Sequence, residues 1–411
     1  MQLRIPHHFW YQLLFLACVA IPYLNSYELT FATWSLTALF TLQKNYSLSI
    51  LKIVGLFVLI LLVALLSSVT ETFTSYEFIR DFTYLLKPIL GLIVGYNLCK
   101  GYLKFPLKTL VYVGAFIAVA HVLIILYSLA FLTVRNMHNL RMHAGYFSDF
   151  EVYAIVILIF KRQFEIDISP KITLSLLLLL GFSIFMYLAR SNFIQLGILV
   201  LAIKGFLKLN KRSITIIATT LIIMLSGYWA IVAYNPDRGA KGIEALLFKI
   251  KNSPNEAFKT RVNKNDWKDF NDNYRSYENI LTLKQVPEGG IKPILFGEGL
   301  GSSIDLKKKV WLQSSFMRYI PFLHNGFMTI FLKAGLLGVF ILILSIGFLI
   351  KRNRSAMPLV ANINMLLLGT GIYLILSYWV FMGFYFTVDT KSLVVGLLIA
   401  YREKLTKTAL S

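Results

Sequence analysis

Residues 172–209 form an almost unbroken apolar run, and neither a soluble fold nor a single membrane span accommodates it. As one helix it would be about 57 Å long, nearly twice the hydrocarbon core of a bilayer. The run must therefore fold back on itself, and Arg190-Ser191-Asn192 is the only polar point near its middle. An arginine left at the bilayer centre costs roughly 2.5–3.5 kcal/mol on insertion scales. The hairpin turn is thus expected to set Arg190 at the external surface. Binding of lipid headgroups explains an arginine there as well as a catalytic task does.

The same reasoning extends along the chain. Apolar segments fall at 9–24, 27–43, 50–68, 82–99, 109–132, 146–160, 172–189, 191–209, 213–234, 321–349, 357–384 and 388–401. With 57% hydrophobic residues, the pattern predicts an all-α polytopic membrane protein of about twelve transmembrane helices. The first, sixth and last segments are short enough that re-entrant or interfacial placement competes with a span. Basic residues sort by side. With the N-terminus cytoplasmic, Arg4, Lys44, Lys52, Lys100, Lys104, Lys108, Lys161, Arg162, Lys171, Lys204, Lys208, Lys211, Arg212, Lys351, Arg352, Arg354, Arg402, Lys404 and Lys407 lie inside. Only Arg80, Arg135, Arg141, Arg190 and Lys391 fall on short external segments, which supports twelve spans with both termini inside.

The net charge of +21 follows from this topology, since basic turns beside anionic lipid need no nucleic-acid partner. Cys18 and Cys99 sit in apolar segments and suggest no disulfide framework. The first segment lacks a small-residue cleavage site and reads as a retained anchor. No repeat is visible, which weakens an inverted-repeat transporter. Three parts follow: helices 1–9 over 1–234, a large external loop domain over 235–320, and helices 10–12 over 321–411. The external region is rich in lysine, but a loop this long translocates largely regardless of charge. Within it, Asn235-Pro236 ends the ninth span, 271–284 reads as a helix, and Gly297-Glu-Gly-Leu-Gly301 reads as a backbone loop able to wrap a sugar or phosphate.

Chemistry gathers on the external side. His324-Asn325 heads a long apolar run, with Gly335 and Gly338 following. On a continuous helix Gly335 lies beneath His324 after three turns, about 16 Å deeper, as part of a smooth seam for a neighbouring helix. Arginines at 141, 190, 275 and 318 are expected around a membrane cavity beside this histidine. Arginine suits bidentate phosphate contacts, and a neutral imidazole accepts a proton from a hydroxyl. Arginines also stabilise a departing phosphate as its charge develops. His138 and His143 read as surface residues. Asp149 and Glu151 read as solvated or paired with nearby arginines rather than as a metal pair. Arg80-Asp81 reads as a structural charge pair, and Lys333, on the face opposite His324, is given no role.

The His-Asn-x9-Gly-x-x-Gly stretch at 324–338 resembles the C-terminal signature of the O-antigen polymerase and O-antigen ligase superfamily of bacterial inner membranes. Arg275 and the 297–301 glycines stand where that family has an Arg-x-x-x-Trp-type helix and a glycine-rich segment, with Tyr277 or Glu278 where an aromatic is usual. Ala189-Arg190-Ser191 resembles its arginine-bearing external hairpin. Arg141-x-x-x-Gly145-Tyr-Phe-Ser-Asp149 resembles a further stretch, with one residue of altered spacing and Phe150-Glu151 in place of Pro-Asn. The resemblance implies a GT-C-like, metal-independent inverting glycosyltransferase without cofactor, its active site facing the periplasm, and undecaprenyl-pyrophosphate-linked oligosaccharide as donor. His324 would be the base, with Arg190, Arg275 and Arg141 on the pyrophosphate. Asn325 and Gly297, Gly299, Gly301, Gly335 and Gly338 would support them. Leu86-Lys-Pro-Ile-Leu90 is closer to polymerases, which are also associated with chain-length regulators. The ligase, with lipid A-core as acceptor, is the alternative, and a lipid-linked glycan flippase or exporter is a third reading.

Overall fold

The computed structural model describes residues 7–69, 73–132, 134, 137–207, 211–240, 242–312, 315–351 and 355–408. Arg4, Arg135, Lys208, Arg352 and Arg354, part of the expected charge asymmetry, lie outside these residues, as does the side chain of His138. All twelve apolar segments fold as helices. The first nine are α1 (His7–Ala20), α2 (Tyr27–Phe40), α3 (Leu48–Ser68), α4 (Ser75–Gly101), α5 (Pro106–Ala130), α7 (Asp149–Ile159), α8 (Pro170–Met186), α9 (Arg190–Ile203) and α10 (Lys211–Tyr234), with the short α6 (Met137–Ala144) before α7. The last three are α15 (Gly326–Ile350), α16 (Pro358–Phe381) and α17 (Lys391–Thr408). Among the described residues, α3, α4, α5, α10, α15 and α16 are by themselves long and apolar enough to cross a bilayer. The chain is a mostly helical membrane protein.

Local sequence sets the boundaries. Thr74 and Glu77 cap α4 reciprocally, each side chain bonding the other's backbone N–H. Asn325 caps α15 by accepting from Phe327 and Met328. Asn235, left-handed at φ 55°, ends α10, and Pro236 follows it. At the hairpin between α8 and α9 the chain turns through Leu188 (φ 46°), and α9 starts at Arg190, as the unbroken apolar run requires.

The region from 235 to 320 is not a free-standing domain. It carries α11 (Ile243–Phe258), α12 (Trp267–Asp272), α13 (Tyr274–Glu288), α14 (Ile291–Phe296) and a hairpin of β1 (Ile304–Leu312) with β2 (Ser315–Ile320). The antiparallel hairpin is a departure from the all-α expectation. The helix expected over 271–284 is broken at Asn273, whose side chain turns back onto Asp269. Phe270, Tyr277, Val286, Ile304 and Ile320 form a small core that continues into Phe331 and Leu332 of α15.

The glycine seam is also corrected. Gly335 is not helical: its φ is 63° and ψ −163°, and α15 breaks there. The backbone at 295–297 lies against the break, where a Cβ on Gly335 would overlap Leu295, Phe296 and Gly297. A Cβ on Gly297 would reciprocally overlap the backbone of Lys333, Ala334 and Gly335. A Cβ on Gly338 would meet Ala334 and Ile330 of its own helix. The glycines therefore admit a loop into a helix break rather than smooth a continuous helix face. Gly297→Ala is expected to lower stability by about 2 kcal/mol or more, combining left-handed strain with overpacking. Gly290→Ala, at φ 91° and ψ −162° but in open space, should show only the backbone strain of roughly 1–3 kcal/mol. Thermal unfolding in detergent compares the two.

Candidate functional site

His324 lies between β2 and α15, immediately before the Asn325 cap. Its neighbours are fixed: Leu323 is fully buried, and its N–H donates to the Thr329 hydroxyl at 3.1 Å. The His324 N–H donates to Glu278 Oε2 at 2.9 Å. Nδ1 of the ring lies 3.0 Å and 3.1 Å from the two Glu278 oxygens. A carboxylate only accepts, so Nδ1 carries the hydrogen and Nε2 is left as the ring's basic atom. Glu278 is buried, whereas the His324 side chain is 47% exposed. A buried acid thus orients a half-exposed imidazole. Tyr274 meets the ring edge-on, with centroids 5.8 Å apart, and burial together with Glu278 pushes its hydroxyl pKa upward.

One turn back on the same helix, Arg275 donates to Glu256 Oε1 at 3.0 Å. Arg190 reaches Oε2 of the same carboxylate at 3.3 Å. The hairpin arginine and the arginine of the 235–320 region are therefore joined through one acid. Arg190 also donates to the Lys249 carbonyl at 2.9 Å and to the Ser253 hydroxyl. The Arg275 guanidinium stands 5.0 Å from the centroid of Phe381. Positive charge crowds here: desolvation, then Arg141 and Arg190, lower the Lys249 pKa. Desolvation and Arg190 likewise lower that of Arg141. Arg141 donates to the Tyr146 carbonyl at 3.2 Å and stacks over the Tyr146 ring. It belongs to the field of the cluster rather than to its carboxylate. At this point the two arginines converge on Glu256.

The glycine-rich loop docks into the helices. Glu298 N–H donates to the Leu332 carbonyl at 2.8 Å, at the break in α15. Leu300 N–H donates to the Ser68 hydroxyl at 2.6 Å and Gly301 N–H to Asp81 Oδ2 at 2.7 Å. Gly299 packs on Ser68 and Gly301 on Phe73. Lys333, left without a role by the sequence, is fully buried, pairs with Asp81 at 2.5 Å and donates to the Ser302 carbonyl. Arg80 adds a second pair to Asp81 at 2.9 Å.

Other expectations fall differently. Arg318 is not in the cluster: it pairs with Asp305 across the β-hairpin at 2.7 and 2.8 Å. Asp149 and Glu151 are neither solvated nor paired with arginines. Asp149 is buried against Lys391 at 2.7 Å, and Glu151 accepts from the Tyr187 hydroxyl at 3.1 Å. Lys391, assigned to an external segment, is buried in that pair and also meets Asp389. Lys87 is buried and donates to the carbonyls of Phe386 and Asp389 at 2.6 and 2.8 Å. His143 is exposed. Tyr277, one of the two residues standing where the resembling family has an aromatic, secures β1 by donating to the Leu306 carbonyl at 2.7 Å. Glu278, the other, holds His324.

Sequence reasoning gave no site role to Glu278 and passed over Glu256 and Lys249. The spacing of Arg275 and Glu278 does place them on one helix face, a signal available in the sequence. Nothing local connects Glu256 to Arg190. No protein-family model, curated protein or solved structure matches this chain.

Proposed function

We propose that the protein is a membrane glycosyltransferase of GT-C-like architecture, with about twelve spanning helices, both termini cytoplasmic and its site on the periplasmic side of a bacterial inner membrane. It transfers a growing glycan from undecaprenyl pyrophosphate to a hydroxyl of another lipid-linked repeat unit. The observation that carries this reading is α13, which presents Glu278 to His324 and, one turn away, Arg275 to an anion shared with Arg190. The acceptor hydroxyl gives its proton to His324 Nε2 as its oxygen bonds the anomeric carbon. The bond from that carbon to the pyrophosphate oxygen breaks from the opposite face, which inverts the centre. Its electron pair leaves with the diphosphate, and Arg190 and Arg275 stabilise the charge that develops there. No metal is needed for this exchange.

Purified protein supplied with undecaprenyl-pyrophosphate-linked repeat units alone should yield a ladder of longer lipid-linked glycans. Product formed only when lipid A-core is added makes the protein a ligase, with the same donor and base and a different acceptor. Silence in both arms, with folded protein and the native repeat unit, overturns the reading and returns transport to the front. Arg275→Lys keeps the charge but loses the planar fork. Transfer is expected to fall about tenfold or more, read as initial rate at equal protein level. A wild-type rate would remove Arg275 from the site.

A further inference from the structure

The carboxylate of Glu256 occupies the position where two guanidinium groups converge, with one oxygen on Arg190 and the other on Arg275. Four cationic side chains (Arg141, Arg190, Lys249 and Arg275) influence one another here. Glu256 is the acid paired with two of them, and Glu278, bonded to His324, acts on Arg275 as well. Such a site remains short of negative charge even with Glu256 in place.

The backbone under Glu256 is fixed while its side chain is free to leave. The Ser276 hydroxyl bonds the carbonyls of Asn255 and Glu256 at 3.0 and 3.1 Å and accepts from Lys259 N–H at 3.0 Å. Those contacts pin the end of α11 to α13. No residue of α11 is buried, so the carboxylate can rotate outward without uncovering a core. Pro254 stands two residues earlier inside the helix and removes a backbone hydrogen bond there.

We propose that Glu256 is a specificity-determining residue: a built-in competitor that holds the arginine pair until a ligand with more negative charge displaces it. The inference rests on the reading of Arg190 and Arg275 as a diphosphate site and adds a rule of selection. A glycosyl phosphodiester lipid carries one negative charge and only exchanges for the carboxylate. A glycosyl diphosphate lipid carries two, engages both arginines and meets the unanswered charge of Lys249 and Arg141. Glu256 therefore sets the donor class as lipid diphosphate rather than lipid monophosphate, and it returns to the arginines when the ligand leaves.

The test is equilibrium binding to the full chain in neutral-lipid nanodiscs, without acceptor. The probes are a polyprenyl glycosyl diphosphate and a polyprenyl glycosyl monophosphate with the same sugar and chain. The wild-type protein is expected to favour the diphosphate by about tenfold or more. Glu256→Gln should tighten monophosphate binding by about tenfold and shrink the preference to about threefold or less. Glu256→Asp, one methylene short of spanning both arginines, should shift the preference in the same direction and serves if the glutamine variant does not accumulate. An unchanged preference, or weaker binding of both lipids, overturns the proposal. Binding is read apart from turnover. Absent transfer with a shifted preference therefore sinks the glycosyltransferase reading alone, whereas no diphosphate binding by any variant sinks the anion site itself.

Discussion

Replacing His324 with alanine is expected to lower glycan transfer by about 10²–10⁴-fold, the usual contribution of a positioned general base, while the protein inserts and accumulates as before. The fold should tolerate the change because the ring is half-exposed and α15 is capped by Asn325 rather than by His324. The Glu278 carboxylate would lose its contact to the ring but keep the His324 backbone N–H, which any residue at 324 supplies. Rates measured at equal protein level, with diphosphate binding as the control for an intact site, separate lost chemistry from lost donor. Wild-type transfer by the alanine variant would remove His324 from the mechanism.

The second large effect is on stability. Asp81→Leu is expected to cost about 3–5 kcal/mol, because it leaves Lys333 charged and fully buried with only the Ser302 carbonyl. It also deprives the Gly301 N–H of its acceptor. Removing both charges, as Asp81→Leu with Lys333→Met, should cost less than Asp81→Leu alone, since no unpaired ion stays inside. Thermal unfolding in detergent reads the comparison. A double variant as unstable as the sum of the two single variants would show that the ion pair is not what couples these positions.

Helices were legible because most apolar runs are long and several ends carry caps or turns, as at Thr74, Asn235 and Asn325. Arg190 and Arg275 both stood out in the sequence as arginines, and they meet on one carboxylate. The acids were not legible. Glu256 and Glu278 are ordinary residues of a mixed-charge stretch, and their importance comes from partners 66 and 46 positions away. Lys333 misled for a related reason. Helical geometry set it opposite His324 and gave it no role, but said nothing of Asp81 across the bundle, 252 positions away. Gly335 was read as part of a continuous helix seam. A straight-helix periodicity assumes helical dihedrals at every position, and Gly335 abandons them.

The docking of residues 295–303 has an evolutionary reading. Their backbone bonds Ser68 of α3, Asp81 of α4 and Leu332 of α15, and because two of these acceptors are side chains, a substitution at Ser68 or Asp81 is also a change to this loop. The 235–320 region is consequently not an exchangeable cassette. Variation is free to accumulate on the hairpin and on the open face of α11, whereas a wholesale transplant with junctions at 234 and 321 would arrive without the serine and aspartate that receive it. Lineages with this architecture should then diversify by drift at the rim and hold the loop and its three sockets as a single inherited unit.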